Sequence, residues 1–132
     1  FVYSDIAIQT NGINVMNCAR AQIGKPYSNG GSGPNSFDGP GLVKYCFQKE
    51  GISMPPKAPQ QCQTGRDVQT PQSGDLVCIC INFNGYCQKS NNTVTDTGIY
   101  TIDQKIVDVP VKTQIWDNTY VTEELISKAA QK

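Results

Sequence analysis

The sequence predicts a disulfide-stapled α+β domain, with helices in its first third and an antiparallel sheet in its second half. Three observations carry this. Apolar residues recur at helical spacing as far as Phe47; the period changes to that of strands from Gly74 onward; and six cysteines stand in a chain of 132 residues.

Taken in order, Ile13, Met16, Ala19 and Ile23 recur near helical spacing, and Gly24 with Pro26 supplies a stop, so the first helix is expected here. Residues 27 to 39 form a Gly/Ser/Asn/Pro loop carrying Gly30, Gly31, Gly33 and Gly39. Gly41 to Glu50 follows as a short helix with Leu42, Val43, Cys46 and Phe47 on one face. Pro40 suits a first helical position, Gly51 a stop, and Asp38 can accept hydrogen bonds from the free amides of the first turn. A Pro/Gln-rich connection spans residues 54 to 73. Gly74 to Ile81 then reads as a buried strand, and Thr97–Ile102 and Lys105–Val109 as two more joined by a turn at Asp103-Gln104. A later strand is expected near Trp116 and Tyr120. Thr122 to Ala130, with Glu123 and Glu124 in its first turn, reads as a closing helix. No repeat or boundary interrupts the chain, so residues 1–132 read as one domain.

Composition narrows the functions. Eleven Lys and Arg balance eleven Asp and Glu, leaving no basic field to attract nucleic acid. No apolar run approaches the roughly 20 residues a membrane-spanning helix needs. A chain opening at Phe1 suits a processed, secreted form. Cys18, Cys46, Cys62, Cys78, Cys80 and Cys87 favour three disulfides and an oxidising, extracellular location. Zinc is the alternative, weakened by the lack of any Cys-x-x-Cys pair and of any histidine. Spacing does not fix the pairing, although Cys87 with Cys78 or Cys80 across a hairpin is the natural first choice. Asn91-Asn92-Thr93 is a glycosylation sequon, consistent with secretion. The glycine-rich loop lacks the Gly-Lys-Ser/Thr of a phosphate loop and does not follow a strand, so no nucleotide or other cofactor is expected.

Five short pieces come in a telling order: Ala21-Gln22-Ile23-Gly24-Lys25-Pro26-Tyr27, Gly30-Gly31, Phe37-Asp38-Gly39-Pro40-Gly41-Leu42-Val43, Gly74-Asp75-Leu76-Val77 and Gly98-Ile99-Tyr100. In this the chain resembles the NlpC family of papain-like cysteine peptidases, which cut the stem peptides of bacterial cell walls. The resemblance covers roughly residues 13 to 110 and implies a papain-like fold with N-terminal helices packed on an antiparallel sheet. It places the family's nucleophilic cysteine at Gly39 and the following serine at Pro40. It puts the histidine base at Asp96 and a third polar residue at Asp108, while Asn29 stands where a tryptophan is usual. A helix N-terminus and an imidazole normally turn such a cysteine into thiolate. Cys46, two turns further along, is expected to be buried or disulfide-bonded instead.

Asp96 and Asp108 admit three readings: solvated residues near a hairpin, an acid–base pair, or ligands for a hard cation. Tyr27 is the aromatic residue the resemblance sets beside a substrate, whereas Trp116 reads as core. With all three catalytic positions substituted, the expectation is a secreted protein that is not an enzyme. Its cleft, bounded by Tyr27, Asn29, Asp38, Gly39, Asp96 and Asp108, is expected to bind a cell-wall muropeptide or glycan. The alternatives are an effector or toxin that engages a target-cell surface protein, and a weak hydrolase working through the two aspartates. No metal is expected.

Overall fold

The computed structural model describes residues 2–6, 11–80, 94–110 and 119–129. Its elements, in chain order, are β1 (Val2–Asp5), α1 (Gly12–Ala21), α2 (Gly39–Gln48), α3 (Ala58–Gln61), β2 (Arg66–Val68), β3 (Leu76–Ile79), β4 (Asp96–Tyr100), β5 (Lys105–Asp108), β6 (Thr122–Leu125) and α4 (Ile126–Ala129). The strands form one antiparallel sheet in the order β2-β1-β3-β4-β5-β6.

Asn11 starts α1 by accepting a hydrogen bond from the amide of Ile13, and the helix buries Val15 and Ala19. α2 lays Leu42, Val43, Cys46 and Phe47 against Leu76, Cys78, Ile99 and Val107 of the sheet. Burial of these side chains is what fixes both helices, since ten-residue helices are marginal on propensity alone. The opposite face of the sheet is covered too, by a smaller cluster of Val77, Ile79, Tyr100, Ile106 and Ile126. Two covered faces explain why β3 is an unbroken apolar run rather than an alternating one. Asp103 and Gln104 both take positive φ, 55° and 62°, the backbone of a tight hairpin turn between β4 and β5.

Four elements differ from the sequence expectation. The chain opens with a strand: β1 lies between β2 and β3, so the sheet has six strands and the connection after α2 contains α3 and β2. Thr122–Leu125 is strand, not helix, with Lys105 opposite Leu125 and Asp108 opposite Thr122. Only Ile126–Ala129 is helical. The open edge of β5 offers hydrogen bonds that a short C-terminal helix would forgo, and Glu123 is held there by Arg20 of α1 and the Thr101 hydroxyl. Tertiary pairing thus overrides the helical signal of the two glutamates.

Cys18–Cys46 ties α1 to α2, and Cys62–Cys78 ties the end of α3 to β3. Cys80 is also disulfide-bonded. Of the two partners expected for Cys87, Cys78 or Cys80, the first is excluded: Cys78 joins Cys62 in the core, where both are fully buried. Sulfurs joined in these bonds cannot serve as zinc thiolates. Cys87, Asn91 and Trp116 lie outside the described residues. Among the described residues no helix is long and apolar enough to cross a membrane.

Candidate functional site

The glycine-rich loop and the start of α2 are built around Asp38. One carboxylate oxygen accepts from the amide of Gly41 at 2.7 Å, capping α2, and the other accepts from the amide of Gly30 at 2.9 Å. The loop folds back so closely that a side chain at position 41 would overlap the carbonyl oxygen of Gly31. Pro40 enters the helix where its missing N–H costs nothing.

Behind this turn Gly39 meets Asp96. A Cβ at position 39 would overlap Oδ1 of Asp96 and would lie 2.8 Å from the carbonyl oxygen of Thr97. The Asp96 carboxyl thus fills the space a side chain at 39 would need. Asp96 is 5% exposed, and burial pushes its pKa up to about 7, opposed by the hydrogen bond from the Thr97 amide and reinforced by the negative charges of Asp38 and Glu124. Asp108 is 2% exposed on β5, and continuing the β4–β5 register sets it opposite Gly98, two residues along β4 from Asp96. Neither aspartate is the solvated loop residue that one of the three sequence readings describes. Among the described residues no three His, Cys, Asp or Glu side chains converge to hold a metal.

Gln61, which the sequence does not single out, joins these pieces. Its Nε2 donates to the carbonyls of Pro40 at 2.8 Å and Pro55 at 2.9 Å, and its Oε1 accepts from the Thr97 hydroxyl at 2.8 Å. Fully buried and fully engaged, it locks the start of α2 to the start of β4 and to the preceding connection. It sits in a Pro/Gln-rich stretch that reads as a linker, and no local pattern distinguishes it.

In front of the same turn lies an open cleft of about 400 Å³, lined by Asn29, Gly30, Asp38, Pro40, Lys44 and Lys57 among others. Of the residues expected at the site, Asn29 and Asp38 line this cleft. Gly39 and Asp96 are buried beside it. Tyr27 is half-buried against the core, with its amide bonded to the Thr119 carbonyl, and Tyr120 is exposed beside Pro26.

The model of the NlpC/P60 family matches residues 24–130. A probable endopeptidase p60 of Listeria innocua is 32% identical over 104 residues, covering 77% of this chain and 20% of that protein. A probable endopeptidase of Corynebacterium glutamicum is 36% identical over 72 residues, covering 53% of this chain and 34% of that protein. The chain thus spans a fifth to a third of the length of these relatives. In structure it matches the NlpC/p60 domain of the peptidoglycan hydrolase SagA with a TM-score of 0.73 and 21% identity, covering 92% of this chain and 94% of that one. The papain-like α+β fold is thereby established. The expectation of a protein that is not an enzyme is overturned by the same findings, which point to a family of hydrolases. The physical reason is specific. A chain without histidine lacks an imidazole as proton acceptor, and nothing wider follows from that absence.

Proposed function

This chain belongs to the NlpC/P60 family, and on that premise we propose that the cleft at the start of α2 receives the peptide stems of bacterial peptidoglycan. The observation carrying this reading is the coincidence of two placements. The segment Phe37–Val43, whose motif resembles the one around the family's nucleophile, forms the first turn of α2, and the cleft opens on that turn through Asp38, Pro40 and Gly41. Its volume of about 400 Å³ falls within the range of roughly 300–1,000 Å³ usual for ligand pockets. The disulfides, Cys18–Cys46 and Cys62–Cys78 among them, support a secreted protein that meets its ligand outside the cell.

Calorimetric titration with soluble muropeptides tests the proposal. Saturable heat is expected; no heat and no shift in melting temperature at millimolar ligand would end it. Mass spectrometry of the same samples reports whether a stem bond is cut. If one is, Asp96→Asn is the first variant to assay, because it removes the titration near pH 7 while keeping the acceptor for the Thr97 amide.

A further inference from the structure

Most basic side chains near the helices are engaged. Arg20 is bidentate on Glu123, Arg66 pairs with Asp5, Lys25 donates to Gln22 and the Pro34 carbonyl, and Lys49 lies over the Tyr45 ring. Lys44 and Lys57 are different: among the described residues neither makes a hydrogen bond or an ion pair, and both line the cleft. The acid lining the same cleft, Asp38, has each of its oxygens turned to a backbone amide, so its charge is already answered by the loop and by the helix it caps. What remains uncompensated at the cleft is positive: two ammonium groups beside the N-terminal turn of a ten-residue helix.

Lys44 has a second neighbour. A smaller depression of about 220 Å³, lined by Lys44, Gln48, Ile52 and Met54 among others, lies on its other side. Lys44 therefore stands on the ridge between the cleft and this depression, whose apolar lining is Ile52 and Met54.

We infer that Lys44, with Lys57 beside it, recognises a free carboxylate on the bound peptide, and that the depression past Lys44 seats the aliphatic residue next to it. This deepens the stem-peptide reading and rests on it: a peptide ligand brings carboxylates as its anionic groups, and a half-buried lysine carried on a packed helix is a better partner for one than a freely moving surface lysine. The arrangement makes the cleft selective for acidic peptides over their amides.

The test compares a synthetic peptidoglycan stem peptide with the same peptide in which each free carboxylate is a carboxamide. Calorimetry is run on the parent chain and on Lys44→Gln and Lys57→Gln, each checked for an unchanged melting temperature. The acidic peptide is expected to bind the parent about tenfold more tightly than its amide, and Lys44→Gln to erase that difference while leaving the affinity for the amide unchanged. Rising salt is expected to weaken the acidic peptide alone. Equal affinity of parent chain for both peptides overturns the carboxylate inference and leaves the stem-peptide reading standing. A preference that survives in both lysine variants also overturns it. Binding of neither peptide overturns the stem-peptide reading itself.

Discussion

The first turn of α2 has two neighbourhoods that differ in almost every physical respect. Behind it, Gly39, Asp96, Thr97 and Gln61 are packed to contact, and each polar group named there has its role fixed by a neighbour within the fold. In front of it, Asn29, Lys44 and Lys57 line an open cleft, and among the described residues the two ammonium groups form no ion pair. Four residues of helix separate Gly39 from Lys44, so the contrast does not arise from distance along the chain. It teaches that in this site the titratable carboxyl is enclosed by the fold at a cost that grows with pH, whereas the lysines beside it face the open cleft.

The contrast is sharpened most by pH. Burial raises the Asp96 pKa from 3.8 to about 7, so the folded chain holds a proton that the unfolded chain has released. The sign follows: the cost is absent below the unfolded value, grows as pH rises toward 7, and is level above it. Asp96→Asn is expected to flatten this slope between about pH 4 and 7, and to be more stable than the parent at the upper end by up to about 4 kcal/mol. Urea unfolding across that range measures it. Asp75, raised to about 6 by burial, leaves a smaller slope of the same sign in the variant. Glu123, whose carboxylate is favoured by Arg20, acts in the opposite direction and only at lower pH.

Next in size is Gly39→Ala, expected to cost about 3 kcal/mol because its Cβ has no room beside Asp96 and the Thr97 carbonyl. Adding Asp96→Ala should recover part of that loss in the same unfolding experiment, the Thr97 carbonyl accounting for the remainder. Asp38→Ala removes the α2 cap and the bond to Gly30, an expected loss of about 1–2 kcal/mol. The smallest effects belong to the cleft: Lys44→Ala and Lys57→Ala should each move stability by no more than about 0.5 kcal/mol. A lysine variant that destabilised the chain as much as Gly39→Ala would break the comparison, since its charge would then be serving the fold.

Legibility in the sequence follows the same division. α2 and β3 to β5 announce themselves because each buries a periodic or largely apolar set, and the hairpin turn at Asp103-Gln104 is where the pattern pauses; α1 forms where expected, but of Ile13, Met16, Ala19 and Ile23 only Ala19 is buried, and Val15 supplies the rest of its contact. β1 and β2 do not: Val2–Asp5 and Arg66–Val68 are short, and β2 is largely exposed at the sheet edge. β6 is misread because Glu123 and Glu124 mimic a helix start, while what holds them, β5 and Arg20, lies far off in sequence. At the site, motif order locates Gly39 and Asp96. It is blind to Gln61, whose three partners come from three segments, and to Lys44 and Lys57, whose interest lies in what they fail to touch.

The Gln61 junction also bears on the kinetics of recognition. With the wall of the cleft, the helix that floors it and the neighbouring strand bound into one unit, and Cys62 anchoring that unit to β3, the cleft has little shape left to find when a ligand arrives. Related peptides should then reach it at similar rates and differ mainly in how long they stay, so that residence time, more than speed of capture, distinguishes one ligand from another.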